Sequence, residues 1–291
     1  MSGTTDFTDT EAKINECLQK IPSLPVTAVK IIQLANNIDS PPKEMLDTIK
    51  MDPVITGKVL ELINSSYFGL RNSVSDLKQA LVMLGANTIK NLALATALLN
   101  TMKGKSSRSE LDLDALWLHS LGCAVSSKLI AREAGIPRMK IEEFFITGLL
   151  HDIGKIFIFQ FLGDEYIESI KNARANGTDM ETGEKNIMGT THANVGFMLA
   201  QKWNLSELHK DAIKLHHSPS ESAEFSKECA IINLANYYTI QNQIGWQDGT
   251  SISSPDDSFY TMAGVTKDQV EQAMSGIHDA VENAKSFIEG V

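Results

Sequence analysis

Residues 141–162 read IEEFFITGLLHDIGKIFIFQFL, the most apolar run of a 291-residue chain. Five of the eleven phenylalanines fall in it: Phe144, Phe145, Phe157, Phe159 and Phe161. Apolar residues recur on nearly every face, the pattern of a helix covered on all sides. The run therefore predicts one central helix over 140–162, broken at Gly163. In its middle stands His151-Asp152, with Lys155 one turn further on. A charge in such surroundings is costly unless it is paired or bound to a metal. This pair is what the rest of the chain has to explain.

Outward from that run the periodicity stays helical. Toward the N-terminus, helices are expected over 10–20, from Pro22 and Pro25 to Asn36-Asn37, and over 43–50. Another follows Asp52-Pro53, an N-cap with proline at the first helical position. A further helix over 76–84 ends at Gly85, and Asn87 is positioned to cap an almost wholly apolar helix beyond it. The polar stretch KGKSSRSELD at 103–112 marks an internal boundary. Helix 112–134 carries His119. Beyond the central run, 164–175 and 181–188 read as polar surface helices. THANVGFMLAQKW and SELHKDAIKLHHSP are amphipathic, and 227–243 is apolar. Residues 245–258 read as a loop, and Thr266 opens a last helix whose apolar stripe over 267–288 packs on the domain or on a second chain. No strand alternation occurs, so the chain reads all-α.

The composition is that of an ordinary soluble globular protein, 43% apolar and 21% charged. A formal net charge of −10 and the lack of any basic run argue against a nucleic-acid partner. Cys17, Cys123 and Cys229 stand far apart, which fits a reducing cytoplasm and no disulfide framework. The start has no signal-peptide pattern, and no uninterrupted apolar span of about 18 residues suggests a membrane helix. A cytoplasmic location with no membrane partner is expected. Nothing signals an oligomeric state.

Six of the seven histidines lie between residues 119 and 217. His119, His151, His192 and His216 have apolar neighbours, and His217 sits beside His216 just before Ser218-Pro219. With Asp152 they offer nitrogen and carboxylate donors suited to Fe, Mn, Zn or Ni. Any single histidine on an apolar face is more often a hydrogen-bonded core residue than a ligand. His209 and His278 have polar neighbours and read as surface residues. Lys155 is either a phosphate-binding cation or the snorkelling end of a core helix.

These segments resemble, in order, the HDOD domain. LPVTAVKIIQLANN, DPVITGKVLELINSSYFG and LKQALVMLGANTIKNLALATAL resemble its N-terminal half. GLLHDIGK, THANVGFMLAQKWNL and LHHSP resemble its second half. The resemblance implies a multi-helix bundle of the HD superfamily with an N-terminal helical subdomain. It spans 15–245, divided into 15–105 and an HD-like part at 110–245, between a tail at 1–14 and a C-terminal loop and helix at 246–291. In the HD pattern His119, His151 and Asp152 match metal ligands, while Asn236 stands where the last aspartate belongs. In the HD-GYP branch, which hydrolyses cyclic-di-GMP, Asp152, His192, His216 and His217 match the second metal site. The GYP segment is missing, and Ala115 replaces the acidic residue expected one turn before His119.

Three functions follow as expectations. The first is a regulatory signal-transduction module that binds a partner protein and turns nothing over, so that no residue is assigned a catalytic role. The second is a metal-dependent phosphohydrolase or phosphodiesterase acting on a nucleotide or cyclic dinucleotide, with Lys155 on a phosphate. The third is a metal or redox sensor that reports to a partner.

Overall fold

The computed structural model of the chain describes residues 7–20, 24–37, 39–102, 104 and 106–289. Among these residues there are seventeen α-helices, three 3-10 turns and no strand, as the all-α reading expects. Pro22, the first expected helix marker, and residues 1–6 of the expected tail lie outside the described residues.

The N-terminal half comprises α1 (Phe7–Lys20), α2 (Val26–Asn36), α3 (Pro42–Lys50), α4 (Pro53–Ile63), α5 (Leu77–Leu84) and α6 (Ala86–Thr101). Asp52 caps α4 by accepting from the backbone N–H groups of Val54 and Ile55, as its position before Pro53 predicts. Asp76 caps α5 in the same way. The expected cap at Asn87 is not what starts α6. Gly85, at φ 84°, both ends α5 and opens α6, since a glycine in that conformation reverses the chain in one residue. The Asn87 side chain donates to the carbonyl of Met139 instead. Every residue of α6 from Leu92 to Leu99 is buried, and α2, α4 and α5 pack around it.

The second half comprises α7 (Leu113–Glu133), α8 (Ile141–Leu150), α9 (Ile153–Phe161), α10 (Gly163–Asn176), α11 (Met180–Met188), α12 (His192–Lys202), α13 (Glu207–Leu215) and α14 (Ser226–Gln241). α7 is the axis, with α8 and α14 packed along it. The single helix expected over 140–162 is in fact two. α8 ends at Leu150, His151-Asp152 form a turn, and α9 restarts at Ile153. Both helices are buried all round, so the apolar pattern runs through the break without registering it. By length and composition Arg138–Phe161 could cross a membrane, but 89% of its most apolar window is buried inside the fold.

The last part comprises α15 (Asp257–Ala263), α16 (Lys267–Met274) and α17 (Ile277–Ala284). The single helix expected from Thr266 is interrupted at Ser275-Gly276, although Thr266 does form a capping box with Gln269. Its apolar side packs against α7, and Phe287 reaches the rings of Tyr67 and Phe145 at centroid distances of 5.1 and 4.6 Å. The stripe belongs to the domain. All three cysteines are buried and free.

Candidate metal centre

Four helix ends meet at one point. His151-Asp152 lie between α8 and α9, His192 opens α12, and His216-His217 close α13. His119 comes from the middle of α7. The crossing of α9 and α12 is made by glycines. A side-chain carbon on Gly154 would lie 1.9 Å from the carbonyl oxygen of His192, and one on Gly196 would lie 3.2 Å from the nitrogen of Gly154. Backbone-to-backbone approach at this point brings Asp152 beside His192. Gly154 is thus part of the site's architecture.

The orientation of the imidazoles is fixed from outside. Nδ1 of His151 donates to the carbonyl of Gly148 at 2.7 Å, and Nδ1 of His216 to that of Ile213 at 2.9 Å. A carbonyl can only accept, so both protons sit on Nδ1 and both Nε2 lone pairs face inward. Nδ1 of His192 lies 2.8 Å from Oε2 of Glu184, which also accepts from the His192 backbone N–H at 2.8 Å. Outer partners of this kind set the ring orientation of metal-binding histidines.

The inward atoms crowd together. His192 Nε2 lies 3.4 Å from His216 Nε2 and 3.1 Å from His217 Nε2. Asp152 Oδ1 is 3.3 Å from His192 Nε2 and 3.7 Å from His216 Nε2. Its other oxygen, Oδ2, is 3.4 Å from Nε2 of both His119 and His151. The ligand atoms of His192, His216 and His217 lie within 4.8 Å of one another, as do those of His119, His151 and Asp152. One carboxylate therefore faces two ligand groups, one through each oxygen.

Protons alone do not satisfy this arrangement. Both nitrogens of His119, Nε2 of His151 and Oδ1 of Asp152 are buried without a hydrogen-bond partner. Buried polar atoms are normally paired, and this donor set could hold a cation. The protonation states agree. Burial pushes His151 down to about 4, and burial with neighbouring imidazoles pushes His216 and His217 well below the usual histidine range. These rings are neutral, as ligation requires. His192 is the exception: burial pulls it down, but the Glu184 carboxylate outweighs that and raises it. For Asp152, burial acts upward, and the facing His151 and Lys155 overcome it and hold the carboxyl well below its usual range.

Lys155 is buried, and its Nζ lies 2.8 Å from Oδ2 of Asp152. Burial would lower its pKa, but the Asp152 carboxylate raises it. The ammonium neutralises Asp152 and is no snorkelling end. Asn236, on α14, is 5% exposed and its Oδ1 has no partner. All six histidine and aspartate residues singled out in the sequence therefore converge. Two expectations fail. His209 is buried, not on the surface; its Nδ1 is 3.0 Å from the Thr147 hydroxyl and burial pushes it down to about 4. Helix 181–188, read as surface, carries Glu184 into the core with no exposure at all. In both helices the polar residue lies on the buried face, Glu184 with Met180, Gly183 and Met188, and His209 with Ala212 and Ile213, so polarity alone points to the wrong side. His278 is exposed as expected.

A cleft of roughly 610 Å³ opens onto His119, Lys155, His192, His217 and Asn236. Part of its wall is the segment 245–256, which precedes α15. Gly245, at φ 73°, lies so close to α7 that a side-chain carbon would sit 2.2 Å from the backbone nitrogen of His119. Trp246 donates its backbone N–H to Ala115, and Ser251 donates its own to Thr178. The position read as a lost acidic residue thus anchors this wall through its carbonyl.

The HDOD domain profile matches residues 21–219. This chain is a member of the HDOD family. A crystal structure of an HDOD domain protein of unknown function from Geobacter sulfurreducens is similar at 24% identity, covering 97% of this chain and 99% of that one, with a TM-score of 0.78. A candidate phosphohydrolase from Shewanella amazonensis SB2B is similar at 26% identity, covering 95% and 98%, with a TM-score of 0.71. An uncharacterized protein of Treponema pallidum is 24% identical over 234 residues, 80% of this chain. The chain spans 44% of that relative's length.

Proposed function

We propose that this protein is an HDOD signalling module that holds one divalent transition metal on His192, His216, His217 and Asp152 and hydrolyses no phosphoester. The observation that carries the metal is the convergence of buried Nε2 atoms and Asp152 Oδ1 with too few protons to pair them. Their nitrogen and carboxylate donors suit Fe, Mn, Zn or Ni. A bound ion would polarise a coordinated water or anion. The protein's own residues do the rest: Glu184 orients His192, Gly148 and Ile213 orient His151 and His216, and Lys155 balances Asp152.

Three features support the loss of turnover. Asn236 offers a neutral amide where a carboxylate would balance a second cation. Ala115 brings no acid beside His119. Lys155 already occupies Oδ2 of Asp152, on the side of His119 and His151. A protein partner is supported by the N-terminal half, where Val26, Met51, Val54 and Val82 are each at least two-thirds exposed.

The second reading, a metal-dependent phosphohydrolase, is favoured by the open cleft reaching the centre and by the similarity to the Shewanella protein. Elemental analysis of purified protein, followed by a hydrolysis assay on nucleotides and cyclic dinucleotides, decides between them. The proposal expects about one metal per chain and no phosphate or linear dinucleotide released. Metal-free protein would remove the first half, and turnover abolished by Asp152→Ala would remove the second.

A further inference from the structure

The cleft above the centre has an electrostatic character that the metal does not explain. Four carboxylates line it: Asp179, Glu181, Asp248 and Asp256. The single lining cation is Lys155, which is already paired with Asp152. Arg174 donates to the backbone carbonyl of Asp248 and does not line the cleft. Tyr237, Trp246 and Phe259 contribute aromatic surface to the same walls. A cleft lined by one sign of charge concentrates ions of the opposite sign. A polyphosphate or cyclic dinucleotide would meet four carboxylates in these walls against the one ammonium of Lys155.

A buried acceptor waits inside. Asn236 lines the cleft at 5% exposure, and its side-chain carbonyl oxygen faces no donor. A buried, unpaired carbonyl calls for an N–H group from a ligand. Aromatic faces with carboxylates and a free carbonyl are the features that receive an organic ammonium group.

We infer that this cleft binds a small organic cation, an alkyl ammonium or diamine, in preference to nucleotides. The site uses the aromatic walls for the alkyl portion, the carboxylates for charge, and Asn236 for a hydrogen bond. It needs no metal, so it stands or falls separately from the metal centre.

The test is a titration with 1,4-diaminobutane, followed by calorimetry and by Trp246 fluorescence, with guanosine and GMP as neutral and anionic comparators. Protein is used both as purified and after chelation. The diamine should bind one per chain in both forms, weaken several-fold as salt is raised, and bind at least tenfold more tightly than GMP. Glu181, in the first turn of α11, has no ion pair and no side-chain hydrogen bond among the described residues, so its substitution breaks neither. Glu181→Gln should weaken the diamine, and Glu181→Lys should reverse the preference toward GMP. Melting curves confirm that both variants fold. The inference is overturned if GMP binds as tightly as the diamine, if the diamine binds equally well to Glu181→Lys, or if binding occurs only with metal present.

Discussion

The two oxygens of Asp152 look into surroundings of different character. Oδ1 faces His192 and His216, which with His217 form one imidazole set: burial keeps His216 and His217 neutral, Glu184 backs His192, and the Ile213 carbonyl backs His216. Oδ2 faces His119 and His151 but also a fixed ammonium, Lys155, with the amide Asn236 in the same cleft wall. Both sides carry donors that could hold a cation, but only the second already contains a cationic side chain, Lys155. Under the proposed function, that ammonium stands in for the second of two cations.

The largest expected effect tests whether the carboxylate really serves both sides. Asp152→Ala should abolish metal retention and destabilise the fold by about 3–5 kcal/mol, because it leaves Lys155 buried and unpaired. Chemical denaturation measures this, and Asp152→Asn with Lys155→Met should recover part of the stability but none of the metal. If Asp152→Ala alone keeps its metal, the shared-carboxylate picture is wrong.

Acid unfolding of the chelated protein gives the next contrast, through a buried histidine outside the centre. His209 is held neutral, with a folded pKa of about 4 against a usual 6.5. The unfolded chain binds a proton that the folded one refuses, so stability is full above pH 6.5 and falls as pH drops toward 4. The loss from this residue is about 3 kcal/mol at the bottom of that window. His209→Gln should flatten the slope there. An unchanged slope would assign the whole acid response to the centre.

A smaller effect isolates the backing of the Oδ1 side. Glu184→Gln keeps the size of the side chain and loses its charge, and should cost 10- to 100-fold in metal affinity with the fold kept. Competition with a chromophoric chelator measures it. The smallest effect concerns the other side: Asn236→Asp should add a second, weak metal equivalent. If that variant still takes up one ion, Lys155 alone is enough to hold the Oδ2 side closed.

Much of this could be read from the chain. Its caps, such as Asp52 before Pro53, are local and chemical, so they survive translation into structure. The six histidine and aspartate residues were legible because apolar neighbours marked them as buried. The break at His151-Asp152 was not, since a periodicity argument needs a wet face and α8 and α9 have none. Glu184 was hidden for the opposite reason, being the one dry carboxylate in a polar helix. That Lys155 turns back on Asp152, three residues earlier, was geometrically open to it from sequence, but the choice between pairing and waiting for phosphate depends on what else surrounds the pair.

The wall made by residues 245–256 has a further meaning. It lies beyond residues 21–219, the portion that the family profile matches, yet it presses on His119 through Gly245 and is tied to α7 and to the α10–α11 corner. The stretch that the profile matches therefore holds only part of the cleft, and a later segment completes its wall. Exchanging this segment between relatives is expected to reshape the cleft while leaving the histidine and aspartate side chains of the centre in place.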